Sequence, residues 1–151
     1  MIQFVAALGA LLFNRLAAVI GAKKTVIITL VGWSVLLIYA VGWLRTPEQV
    51  WVWGAVEGLV LGSSQALSRS MFAKMVPRHR ESAYFSIYEI SERGSSWVGP
   101  LIFGVAVQLT GNARQALLPL SGFFVVGILI LLRTNVRKAI ADAGNEVPEL
   151  V

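Results

Sequence analysis

Cysteine is absent from the 151 residues, and histidine occurs once, at position 79. The first absence excludes a disulfide framework and any Cys-based metal site. A lone histidine in a basic loop is a poor nucleus for a metal site, and no His/Asp/Glu spacing suggests one. No metal and no cofactor are therefore expected. Charge is scarce as well: Asp, Glu, Lys and Arg make up 14% of the chain. Soluble domains carry about 25%. In place of charge the chain has 56% hydrophobic residues and a mean hydropathy of +0.72. This composition excludes an ordinary water-soluble domain and defines a polytopic membrane protein whose first partner is the lipid bilayer. The net charge of +5 is no mark of a nucleic-acid binder. Its basic residues sit in short loops between apolar runs, not along one face. Residues 1–13 are apolar but lack the basic start and small-residue cleavage site of a signal peptide.

A hydrocarbon core needs about 20 apolar residues of helix. Five runs meet or approach that length, at about 2–18, 25–44, 50–76, 84–109 and 116–132. The expected fold class is all-α: a transmembrane helix bundle of five spans. Turn residues mark the connectors, at Gly21-Ala22-Lys23-Lys24, Arg45-Thr46-Pro47-Glu48, Pro77-Arg78-His79-Arg80 and Thr110-Gly111-Asn112. Residues 133–151 turn polar and are expected to be a frayed tail, with 136–151 as the cytoplasmic tail beyond the membrane part.

Orientation follows from the basic residues. Arg15, Lys23, Lys24, Lys74, Arg78, Arg80, Arg133, Arg137 and Lys138 fall on one side, against Arg45 and Arg114 on the other. The tail is expected in the cytoplasm and the start outside. Tyr39, Trp43, Trp51 and Trp53 flank the outer loop as an interfacial belt would. An odd helix count with an exported, uncharged start is what a chain beginning inside a larger transporter would show, through truncation or a split gene.

The third and fourth runs hold the ionisable residues. Groups at membrane depth are costly and are functional candidates by default. At about 100° per residue, Gly54, Gly58, Gly62, Gln65 and Arg69 share one arc of the third run, with Glu57 beside it. The glycines form a doubled small-xxx-small pattern that admits a neighbouring helix. Bland readings stand beside these: helix packing alone for the glycines, and snorkelling to the headgroups for Arg69. In the fourth run Ser82, Ser86, Glu89, Arg93, Ser96 and Pro100 share an arc, with Glu92 beside it. Glu89 and Arg93 form an i,i+4 pair. Gly99-Pro100 is expected to break the helix ladder and kink the span. The bland alternative puts residues 82–93 at the interface, with the true span starting later. Arg69, Glu89, Glu92 and Arg93 are expected at similar depth, as a neutral buried cluster acting as a cytoplasmic-side gate. Glu57 suits proton coupling or a substrate ammonium group. The serines within the spans have no histidine to activate them, so no enzyme is expected.

Gln65-Ala66-Leu67-Ser68-Arg69-Ser70, then Pro77, then Phe85-Ser86-Ile87-Tyr88-Glu89 and Ser95-Ser96-Trp97-Val98-Gly99-Pro100 closely resemble the autophagy-related vacuolar effluxer-like branch of the major facilitator superfamily. The resemblance covers residues 1 to about 135, as spans eight to twelve of a twelve-span transporter. Leu16, Ala17, Gly21 and Lys23 fit the superfamily's loop signature, whereas Asn14, Ala18 and Val19 depart from it. The resemblance implies part of the carboxy-terminal six-helix half of a facilitator. It also implies a small-molecule solute, amino acids among the candidates, and alternating access against an amino-terminal half outside this chain. The plain loops favour a prokaryotic inner membrane. The alternative is a non-transporting five-span protein that packs on a partner through the Gly54/Gly58/Gly62 face.

Overall fold

The computed structural model describes residues 2–150, and every regular element among them is a helix. The order is α1 (Ile2–Ile20), α2 (Ala22–Gly42), α3 (Pro47–Lys74), α4 (Glu81–Ser95), α5 (Val98–Thr110), a short 3₁₀ turn (Gln115–Leu117), α6 (Leu118–Arg133) and α7 (Val136–Asp142). The chain is an all-α membrane helix bundle. Three stretches are long and apolar enough to cross a bilayer: α1, α2, and Gln115–Arg133 containing α6. Their outer faces stay apolar and exposed, with Phe4, Leu11, Val19, Val35, Val126 and Ile130 among the uncovered side chains. A helix apolar all round is suited to lipid.

Local chemistry sets the boundaries. Gly21 turns α1 into α2 with φ 98°, a backbone conformation that glycine adopts at no steric cost. Thr46 opens α3 with a capping box: the Gln49 amide donates to Thr46 Oγ1, and Gln49 Oε1 accepts from the Thr46 amide. Pro47 occupies the first turn, where its missing N–H costs nothing.

α1 and α3 run parallel and touch at glycines. A Cβ on Gly62 would overlap the Ala6 carbonyl, and one on Gly9 would overlap the Leu59 backbone. A Cβ on Gly58 would lie 2.9 Å from the Ile2 carbonyl oxygen. Gly54 differs, with nothing within 4 Å. Four residues turn a helix by about 400°, so an i, i+4 row drifts about 40° per step. The contact with α1 follows that row away from the face carrying Gln65 and Arg69, and both stay exposed. α2 joins α1 and α3 to α6. The Trp33 ring stacks on Phe124 with centroids 5.6 Å apart, and the Trp53 indole N–H donates to the Leu36 carbonyl at 3.0 Å. Buried Thr29 and Ser63 give their hydroxyl protons to carbonyls of their own helices, and buried Thr25 gives its to the Gly21 carbonyl just before α2.

Two expectations need correction. The run at 84–109 is two helices, α4 and α5, of 15 and 13 residues. At 1.5 Å per residue each is about 20 Å long, short of the ~30 Å hydrocarbon core. They part at Ser96–Trp97, just before the Gly99-Pro100 pair. Pro100 has no N–H to give, and its ring excludes the carbonyl four residues back, that of Ser96. The tail is not frayed. α7 buries Val136 and Ile140 against Met71, Met75 and Leu131. Asn145 Nδ2 then donates to the carbonyls of Lys74 and Val76 at 2.9 and 2.8 Å, satisfying the end of α3.

Gly62→Ala should destabilise the bundle by about 1–3 kcal/mol through overpacking, whereas Gly54→Ala should be neutral or gain up to about 1 kcal/mol from helix propensity. Unfolding by SDS titration in mixed micelles measures the pair. Asn145→Ala should release the tail at a cost of about 1–3 kcal/mol, read as faster proteolytic loss of residues beyond 135 with α1–α6 intact.

Candidate functional site

The carboxy-terminal third of α3 presents Arg69 and Phe72 on one face, three residues apart. α4 answers with Phe85, Tyr88, Glu89 and Glu92, an i, i+3, i+4, i+7 stripe. Arg69 Nη2 donates to Glu89 Oε1 at 2.9 Å and to Glu92 Oε2 at 3.1 Å. The second oxygen of Glu89 accepts from Arg93 Nε at 3.3 Å. Two cations and two anions therefore share one network and cancel. The Arg69 guanidinium carbon also lies 5.8 Å from the centre of the Tyr88 ring. Phe72 meets Phe85 edge-on at 5.4 Å and Tyr88 at 4.9 Å. The helix pair is thus joined by a charged clasp lying beside an aromatic one.

The cluster was expected to be buried, and in this chain it is open. Arg69, Glu89 and Glu92 side chains are 51%, 39% and 46% exposed, and α4 has no buried residue. Only its face toward α3 is covered. Exposed ion pairs contribute little by themselves and are screened by salt. Arg69 Nη2 alone bridges the two carboxylates, and that bridge together with the packing of Phe72 on Phe85 and Tyr88 sets the position of α4.

The remaining candidates lie elsewhere. Gln65 is exposed one turn before Arg69 and takes no part in the clasp. Glu57 sits twelve residues before Arg69, about 18 Å along the axis, in a separate cleft beside Trp51, Trp53 and Gly54. Ser86 and Ser96 bond back to the carbonyls of Ser82 and Arg93 in their own chain segment and reach no other helix. Gly58 and Gly62 are covered by α1, and Gly99 and Pro100 follow the break between α4 and α5. His79 takes φ 80° in the loop between α3 and α4. Sequence reasoning missed Phe72, Phe85 and Tyr88 as clasp residues; their helical spacing opposite Arg69 was the available signal. It also missed Lys23, whose ammonium donates to the Leu132 and Thr134 carbonyls and closes the end of α6.

Helices with apolar outer faces, one run broken in two, and a neutral charge network beside the break define a polytopic membrane protein. A family profile described as "Vacuole effluxer Atg22 like" matches residues 1–144. The uncharacterized MFS-type transporter YxiO of Bacillus subtilis is 34% identical over 148 residues, 97% of this chain and 34% of that protein. Autophagy-related protein 22-2 of Emericella nidulans is 37% identical over 89 residues, 59% of this chain and 14% of that protein. Autophagy-related protein 22 of Eremothecium gossypii is 34% identical over 100 residues, 66% and 20% of the respective lengths. No solved structure matches. The chain belongs to the Atg22-like family of major-facilitator-type membrane transporters. It spans about a third of the length of its bacterial relative.

With the chain free of cysteine, a Ser70→Cys, Ser91→Cys pair places spin labels on α3 and α4 without background. The interlabel distance distribution should be narrow in the native sequence, broaden at ~1 M salt as the screening length falls to about 3 Å, and broaden at all salt concentrations in Arg69→Gln. Arg69→Lys should fall between, because an ammonium keeps the charge but loses the flat guanidinium set over the Tyr88 ring.

Proposed function

We propose that this chain forms part of the carboxy-terminal half of a secondary-active transporter, and that it moves small solutes, amino acids among them, by alternating access. The observation that carries the reading is the Arg69–Glu89–Glu92–Arg93 network across α3 and α4. Beside this network α4 meets α3 through Phe85 and Tyr88 on Phe72, and its two ends are a loop and a helix break. Such a helix swings at low cost once the clasp parts. In the proposed cycle the clasp is closed when the cytoplasmic path is shut and separates when it opens. A neutral network is cheaper to cover with a second wall than any of its members alone. Glu57 lies apart from the gate and is proposed as a proton-coupling or substrate-ammonium group.

The proposed orientation puts α7 and the tail in the cytoplasm. It is supported by the two lone basic residues of the other side, Arg45 and Arg114, which line one common cleft. A prokaryotic plasma membrane is favoured by the match to the bacterial relative along nearly the whole chain, against shorter matches to the fungal proteins. The non-transporting reading needed the Gly54/Gly58/Gly62 face free for a partner, and α1 covers two of those three glycines.

The test grafts residues 2–144 in place of the matching segment of the Bacillus subtilis relative and measures flux of a panel of amino acids in proteoliposomes. The chimaera should transport, and an Arg69→Gln, Glu89→Gln double variant should insert normally with altered flux. Unchanged flux in the double variant would rule out the gate. Flux by this chain alone would rule out the shared-wall arrangement.

A further inference from the structure

We infer that the cleft where the start of α2 meets the end of α6 holds the phosphodiester headgroup of an anionic phospholipid. Three cations line it, Lys23, Arg133 and Arg137, beside the polar Thr134 and Asn135, and no acidic residue does. α2 and α6 themselves contain no Asp or Glu. Among the described residues no salt bridge neutralises any of the three cations. The cleft holds about 400 Å³, within the roughly 300–1,000 Å³ of small-ligand sites.

Its depth is that of lipid headgroups. Arg133 ends the apolar stretch Gln115–Arg133, and Lys23 lies in the first turn of the apolar stretch Ala22–Gly42. The two helices run antiparallel: Trp33 stacks on Phe124, and Lys23 donates to the Leu132 and Thr134 carbonyls at 3.2 and 2.9 Å. From Phe124 to Arg133 is about 14 Å of helix, close to half of a ~30 Å hydrocarbon core. On the membrane side of the cleft Ile28, Leu129, Ile130 and Leu132 stay exposed, an apolar surface along which acyl chains can lie. A free anion has no use for that surface, and a phospholipid does.

The cations have donors to spare. Lys23 satisfies the carbonyls at the end of α6, the negative end of the helix dipole, and one of its three N–H groups is left over. Among the described residues Arg137 spends only Nη2, on the Pro148 and Glu149 carbonyls. Glu149 lines a different cleft, beside Asn14 and Lys74. The Thr134 hydroxyl proton goes to the Ile130 carbonyl, so the cations carry the recognition. Basic clefts between spanning helices at headgroup level take anionic lipid phosphates. A zwitterionic lipid brings an ammonium group as well, and this cleft has no carboxylate to receive it.

The experiment titrates phosphatidylglycerol or phosphatidylcholine of the same acyl chains into the 151-residue chain in detergent, with native mass spectrometry counting the lipids retained. The first phosphatidylglycerol should bind at least roughly tenfold more tightly than the first phosphatidylcholine. Arg133 is exposed, so its replacement leaves the packing intact. Arg133→Gln should weaken phosphatidylglycerol binding by about fivefold or more, and Arg133→Lys should keep most of it, with helicity unchanged in both. Arg80→Gln removes one charge from the loop between α3 and α4, outside the cleft, and should leave the affinity unchanged. Equal affinity for the two lipids, or undiminished binding by Arg133→Gln, would overturn the assignment. So would an equal loss in Arg80→Gln, which would mean a diffuse positive surface rather than a built cleft. Excess inorganic phosphate separates the two sources of the anion. Retention of the lipid supports the headgroup, and its displacement assigns the cleft to a free anion and overturns the lipid. Binding is measured without flux, so either outcome leaves the Arg69 gate standing.

Discussion

One guanidinium holds α4 against the bundle. Arg69 reaches two carboxylates a helical turn apart and rests near the Tyr88 ring, while Phe72 engages the ring pair below it. None of the side chains of α4 is buried. The ionic part of what positions this helix is weakened by water and salt. A folded core would not be secured this way. In the proposed cycle α4 is the element that moves, and elements that move are drawn from the least stable parts of a structure.

The opposite regime prevails at the other end of α3. There the backbone of α1 lies against Gly58 and Gly62, too close to admit a methyl group at Gly62. In lipid there is no hydrophobic drive between helices, so this close approach, with its dense van der Waals contact, is the available adhesive. α2 stacks Trp33 on Phe124 of α6, Lys23 closes the end of α6, and the tail ties back to the end of α3 through Asn145. α1, α2, α3, α6 and α7 thus hold one another through contacts that do not slide. α4 is set off from them by a loop on one side and by the break at Ser96–Trp97 on the other. The helix that carries the acidic half of the clasp is also the one with hinges at both ends.

Much of this was legible in the residues. Apolar run lengths and the shortage of charge gave the helical membrane class, and the Arg69, Glu89, Glu92 and Arg93 spacing gave the clasp. Three things were not legible, each for a physical reason. Helical arcs assign residues to faces but do not say where a crossing helix leaves that face, so Gly62 and Arg69 looked equivalent although α1 covers only the first. Gly99-Pro100 announced a break in the fourth run, but a kinked span and two half-length helices have the same apolar count, so the residues did not say that the run divides completely. The docking of the tail was hidden because Val136 and Ile140 are isolated apolar positions in a charged segment, and their partners Met71 and Leu131 lie in other helices.

In the two-walled carrier proposed above, the exposure of the clasp has its own logic. Were the four charges covered by α4 alone, their desolvation would be met in every state, and the pairing would gain nothing from the approach of a second wall. Left open, the network meets that cost only when something closes over it, at the moment when its mutual attraction is also strengthened by the loss of water. Closure then favours the pairing that holds α4 in place, and the held α4 favours closure. The two events become coupled although no residue of the clasp need touch the solute.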